Sequence, residues 1–277
     1  MNNIGFIGYG SMGSMLIMGL ITVGNISPNQ IIITRKNKER LKEIKDLWPE
    51  INITTDVIEV VKKSKYIFIC VKSSEYINIL NEIKSTLLST QHIISIAGPV
   101  MINDMEKIIN CKITKLMPTL ISEVNEGITL ICHNNKVTEA DTEYIENMIG
   151  NFTKINRIDE NEFGFACKFT SCGPGLYAAI FQEFVEAGLR HSDSLTKEII
   201  TKMVLQTLYG TVKLMIDENM DFNEVISRVA TKGGITEEGV KVMESCLPQV
   251  FDDMFDQTTA KQKVSNAKVH SDFEKIL

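Results

Sequence analysis

The sequence predicts an α/β protein in two parts: a doubly wound parallel sheet over residues 1–158 and an all-α C-terminal domain over residues 159–277. Three observations predict it. Through the first half, short apolar runs alternate with stretches of helical spacing, the pattern of a parallel sheet covered by helices on both faces. The first of these runs ends in closely spaced glycines that open a helical stretch. From about residue 159 the strand signals stop, and long helical segments follow near 160–191, 194–218 and 236–268.

In chain order, "NIGFIG" is a strand of apolar residues ending in glycine, and residues 11–23 have helical spacing. "IIIT" at 31–34 is the second strand, and "NKERLKEIKDLW" an amphipathic helix. The alternation continues through "YIFICV" at 66–71, "EYINILNEIKSTLL" at 75–88, "HIISIAG" at 92–98, "KITKLMP" at 112–118 and "GITLICH" at 127–133. In the C-terminal half, apolar residues occupy much of the circumference of 176–189 and 199–216. Helices of that kind must be buried, within one subunit or against a second one.

A chain of 277 residues can bury a sizeable core without disulfides or metals. With 44% hydrophobic and 23% charged residues it falls outside the disordered and fibrous classes. The net charge of −6 and the lack of a distinct basic run argue against nucleic-acid binding. No apolar stretch approaches the roughly 20 residues of a membrane span, so no membrane association is expected. The N-terminus lacks the positive start of a secretory signal. The six cysteines form no CxxC pair and the four histidines are scattered, so no metal site is expected and the location is read as cytoplasmic.

The first motif with chemistry in it is Gly8-Tyr9-Gly10-Ser11-Met12-Gly13. It follows a predicted strand and opens a predicted helix, the context in which a GxGxxG turn receives a dinucleotide. Gly8 permits the turn, Gly10 lets a pyrophosphate approach the backbone, and Gly13 lets helix and strand pack, so the sheet is of the Rossmann type. At the end of the second strand, where an acid usually holds the ribose hydroxyls of NAD, the chain has Thr34-Arg35-Lys36-Asn37. Two cations suit a 2′-phosphate, so NADP(H) is the expected cofactor, with NAD(H) possible. A second glycine-rich stretch, "SRVATKGGITEEGV" at 227–240, places Gly233 and Gly234 between the hydroxyls of Thr231 and Thr236. It reads equally as a helix cap and as a ligand loop.

Taken together, these segments resemble the pyrroline-5-carboxylate reductase family over nearly the whole chain. "IGFIGYGSMGSML", "ICVKSSEY", "SIAG", "LMPTLISEVNEG", "TSCGPGLYAAIFQEFVEAG", "LQTLYGTVKLM" and the 227–240 loop follow the family's motifs in order. The resemblance implies NAD(P)H-dependent reduction of a cyclic imino acid to proline, and a homodimer or larger assembly through the C-terminal helices. It also implies that Val71, Lys72, Ala97, Gly98, Pro118 and Thr119 join the cofactor site. Thr231, Lys232, Gly233 and Gly234 are implied to meet substrate, and Thr236 to donate a hydrogen bond to the imine nitrogen.

Three departures from the family cluster at the substrate end. Thr119, Leu120 and Ile121 replace an asparagine-threonine-proline run, Lys232 replaces a proline, and Leu176 stands where a tyrosine is usual, with Tyr177 one place on. They leave open a related reductase of another imine or a hydroxy acid, and a non-catalytic nucleotide-binding relative.

Overall fold

The computed structural model describes residues 3–37 and 39–275. The first half builds β1 (Ile4–Ile7), α1 (Ser11–Thr22), β2 (Ile31–Thr34), α2 (Glu39–Leu47), β3 (Asn52–Thr54), α3 (Val57–Lys63), β4 (Tyr66–Ile69) and α4 (Ser73–Ile83). It continues with β5 (His92–Ser95), α5 (Ile102–Glu106), β6 (Lys112–Met117), a 3-10 turn at Leu120–Val124, β7 (Gly127–His133), α6 (Glu139–Ile149) and β8 (Thr153–Arg157). The second half is helical: α7 (Glu160–Ala166), α8 (Gly173–Arg190), α9 (Lys197–Asp217), α10 (Phe222–Val229) and α11 (Ile235–Glu274).

The strands form one sheet in the order β3-β2-β1-β4-β5-β6-β7-β8. Its first six strands have the doubly wound order of dinucleotide-binding folds, with the switch point between β1 and β4. Neighbouring side chains of a strand go to opposite faces: Ile4 and Phe6 of β1 join one buried cluster with Ile31, Ile33 and Phe68, while Ile7 joins the other with Ile67, Ile69 and Ile93. Both faces are covered, which is why the central strands are apolar throughout.

Two features depart from the expected sheet. β7 pairs antiparallel with β6, so β7 and β8 run against the other six strands. The connection over residues 118–126 is too short for the crossover that parallel neighbours need. β3 and β8, with α3, α5 and α6, were not among the expected elements. β3 is three residues long and β8 is polar ("TKINR"), so neither carries an apolar run.

The chain divides into two compact units, Met1–Pro174 with Lys261–Leu277, and Gly175–Ala260. The boundary expected at 158/159 follows the last strand, and the compact division differs from it. The Phe163 ring of α7 is buried in the first unit under the Lys115 ammonium, 5.4 Å from its centroid. Val269 and Phe273 of α11 enter one of the sheet's two apolar clusters. In the second unit, α9 is long and apolar enough by length and composition to cross a membrane, contrary to the expectation that no stretch would be.

Candidate active site

At the carboxyl ends of β1, β2 and β4, the first unit has a cavity of about 340 Å³. Gly8, Tyr9, Gly10, Thr34, Arg35, Lys36, Val71 and Lys72 line it, so eight of the expected cofactor residues come together. The turn is set by backbone geometry. Gly8 has φ +102°, and a Cβ there would lie 2.6 Å from the Cys70 carbonyl oxygen, so only glycine fits. The Gly8 N–H donates to the Thr34 carbonyl at 2.9 Å and the Cys70 N–H to the Ile7 carbonyl at 2.8 Å, which ties the turn to both flanking strands. A Cβ on Gly10 would meet nothing within 4 Å, which leaves the backbone open to a ligand. On Gly13 it would come within 3.0 Å of the Gly8 carbonyl, so that glycine serves helix packing.

Ser11 and Met12 fill the first turn of α1, where no acidic residue offsets the helix's positive end. The N–H groups of that turn have no intrahelical acceptor, so they are available to an anion. The Arg35 guanidinium donates to the Tyr9 carbonyl, which holds its charge beside the turn. Lys36 Nζ lies 2.8 Å from Glu75 Oε1. Burial pushes the Cys70 thiol well above the ordinary range, so it lines the groove as a neutral group. The glycine cradle, open N-terminus and paired cations fit a phosphorylated dinucleotide.

Thr55, Cys70, Glu75 and Ile79, which no motif marks as site residues, also line the groove. Glu75 sits in the first turn of α4, a place where acids favour any helix, so its position alone does not reveal a ligand role.

The other expected residues lie elsewhere. Ala97 is buried after β5, and Gly98 lines a separate cavity of about 420 Å³ with Met101, Lys115, Met117 and Glu160. There the Lys115 ammonium is buried in β6, 3.1 Å from Glu160 Oε1, which also accepts the Ile102 N–H at 2.9 Å. Nothing local in the sequence marks this pair, because a lysine in a strand pattern signals exposure rather than burial. Pro118 and Thr119 are held by the segment between α7 and α8. The Ser171 hydroxyl donates to the Pro118 carbonyl at 3.1 Å, and the Thr119 hydroxyl donates to the Thr170 carbonyl at 3.2 Å.

In the second unit, Thr231, Lys232, Gly233 and Gly234 form the turn between α10 and α11, and Thr236 is in the first turn of α11, exposed. Gly233 has φ +75°, which accounts for a glycine at this position. Both glycine N–H groups are paired: Gly233 donates to the Glu237 carboxylate at 2.7 Å and Gly234 to the Thr231 carbonyl at 2.8 Å. Glu237 follows Gly233 by four places, within reach of an N–H that α11 does not use.

Residues 3–99 match the family described as NADP oxidoreductase coenzyme F420-dependent, and residues 160–264 the pyrroline-5-carboxylate reductase dimerisation family. Pyrroline-5-carboxylate reductase 3 of Bacillus subtilis is 34% identical over 271 residues, covering 97% of this chain and 98% of the relative. The chain belongs to the pyrroline-5-carboxylate reductase family. A pyrroline-5-carboxylate reductase of Methanobrevibacter smithii is 29% identical over 249 residues, covering 87% of this chain and 97% of the relative. The crystal structure of Plasmodium falciparum pyrroline carboxylate reductase with NADP bound superposes with a TM-score of 0.82 at 25% identity, covering 96% of this chain and 97% of that one. The helical region of this chain carries the match to the dimerisation family, and the sheet unit the match to the NADP oxidoreductase family.

Proposed function

We propose that this chain reduces 1-pyrroline-5-carboxylate to L-proline, with NADPH as preferred reductant and NADH as a second one. The observation that carries the reading is the 34% identity to a pyrroline-5-carboxylate reductase along nearly the full length of both chains. A bound nicotinamide dinucleotide supplies the hydride. The residues that hold it are the Gly8–Gly13 turn and the first turn of α1 at the pyrophosphate, Arg35 and Lys36 at the 2′-phosphate with Thr34 beside them, and Val71 and Lys72 along the groove. Ala97, Gly98, Pro118 and Thr119 lie outside that groove, and we assign them to the nicotinamide end of the cofactor beyond it. The buried Thr119 hydroxyl acts there through the backbone it fixes, since it is already donated to Thr170.

Hydride addition to an imine carbon turns the imine nitrogen into an amine, so a hydroxyl that donates to that nitrogen stabilises the developing product. Thr236 takes this role from its exposed position in the first turn of α11. Thr231, Lys232, Gly233 and Gly234 receive the substrate carboxylate. Lys232 contributes a cation, and the carboxylate exchanges with Glu237 at the Gly233 N–H. The enzyme acts as a homodimer, or a larger assembly of dimers, through its C-terminal helices. Its place is the cytoplasm, which agrees with six free thiols.

The experiment is NADPH oxidation by the purified chain with 1-pyrroline-5-carboxylate, comparing Thr236→Val with the unaltered protein. Turnover by the unaltered chain supports the reading, and its absence with NADPH bound overturns the substrate. Thr236→Val lowers the rate about ten- to a thousandfold, the range of general-acid and oxyanion contacts, with NADPH affinity retained. An unchanged rate removes Thr236 from catalysis.

A further inference from the structure

Among the described residues lining the dinucleotide groove there are three cations, Arg35, Lys36 and Lys72, and one carboxylate, Glu75. The two cations at the ribose end are not equivalent. Arg35 donates to an uncharged backbone carbonyl and keeps its full charge for a ligand. Lys36 faces Glu75 across 2.8 Å, so a negative charge already offsets its own. Glu75 is the less exposed partner, at 40% against 87% for the lysine side chain, and it is anchored: its N–H donates to the Lys72 carbonyl at 2.9 Å in the first turn of α4. The backbone that carries the carboxylate is therefore fixed at the rim of the groove, and the more exposed Lys36 reaches across to it.

Those positions give one carboxylate opposite effects on two cofactors. A 2′-phosphate carries nearly two negative charges at neutral pH, and beside Lys36 it meets the repulsion of Glu75 and must draw the lysine away from it. A 2′-hydroxyl carries no charge and can donate to a carboxylate, the interaction that NAD sites usually obtain from an acid at the end of the second strand. That acid is absent after Thr34, and the groove's carboxylate comes instead from the start of α4.

We propose that Glu75 is a cofactor-selectivity residue that holds back NADP(H) and keeps NAD(H) usable. The inference rests on the cofactor reading given above and not on the substrate. It predicts that NADPH preference, drawn from Arg35 and Lys36, is smaller than two cations alone would give.

The test is fluorescence titration of the full chain and its Glu75→Gln variant with NADPH and with NADH, without substrate, at low and at high ionic strength. Glu75→Gln tightens NADPH and weakens NADH, moving the ratio of the two dissociation constants toward NADPH by about three- to tenfold, the scale of a charge interaction at a partly exposed site. The movement shrinks at high salt, as a charge effect must and a packing defect does not. Glu75→Asp keeps most of the native ratio. If both affinities move together, or the ratio stays where it is, Glu75 has no role in selectivity. If the unaltered chain binds neither dinucleotide, the cofactor reading falls and this inference falls with it. If it binds both and fails to reduce 1-pyrroline-5-carboxylate, only the substrate reading falls, and the titration decides on Glu75 as before.

Discussion

Phe6 and Phe68 stack 4.6 Å apart inside the sheet unit with no solvent exposure, whereas Leu205 and Tyr209 of α9 and Phe222 of α10 stand 60%, 66% and 76% exposed in the helical unit. In the sheet unit each strand's two faces are covered by the chain's own helices, and its two apolar clusters are closed. Among the described apolar residues of α8 to α10, Val185 of α8 and Ile200 of α9 are buried. An apolar surface of that extent marks an interaction site. The sheet unit closes its own core, while the helical unit leaves an apolar surface uncovered, which we read as the face for a second copy of this chain. The match of residues 160–264 to a dimerisation family agrees with this.

The largest expected effect comes from breaking the closed side of the comparison. Phe68→Ala opens a void in a packed core and lowers unfolding free energy by about 3–5 kcal/mol, read by urea denaturation. A loss below about 1 kcal/mol would mean the core is looser than described. Next comes the open side. Leu205→Asp with Tyr209→Asp places charges on the apolar face, weakening self-association by about a hundredfold or more in sedimentation, with NADPH binding by the sheet unit retained. An unchanged sedimentation coefficient would move the dimer interface away from α9.

A smaller effect sharpens the account of the groove. Arg35→Gln weakens NADPH binding by about tenfold and NADH binding by less than about twofold, since a guanidinium serves the phosphate more than the hydroxyl. Equal losses would mean that Arg35 only shapes the turn. The smallest concerns pH and the sheet's interior. Burial pulls the His92 imidazole down to about 3. The unfolded histidine takes up its proton near pH 6.5, while the folded one stays neutral until about pH 3, so protonation favours the unfolded chain across that window. Stability therefore falls as pH drops through it, by at most about 1.4 kcal/mol per unit from this residue. Denaturation at pH 7 and pH 5 in His92→Gln checks this, the variant losing that share of the slope.

Legibility followed how locally each feature is determined. The β1 turn was readable because its φ of +102° and its contact with Cys70 admit only glycine, a constraint written into one residue. The second glycine turn was readable in place, but the pairing of its N–H groups with Glu237 and Thr231 was not, since a cap within a turn and an open anion site use the same residue types. The direction of β7 was hidden because an apolar run carries no sign of orientation, although the short 118–126 connection held the information. Lys115 and Glu160, and Lys36 and Glu75, are pairs distant in sequence that meet only through the sheet order. The apolar circumference of α8 and α9 is visible in the sequence, but burial within one subunit and burial against a second one call for the same residues.

The most direct test of the account follows the hydride itself. The purified chain is incubated with 1-pyrroline-5-carboxylate and NADPH deuterated at the 4-position of the nicotinamide, each face labelled in turn, and the product is analysed by mass spectrometry. The account predicts L-proline carrying one deuterium at the former imine carbon from one of the two labelled cofactors. Unlabelled proline from both, or no proline from a chain that binds NADPH, would contradict it.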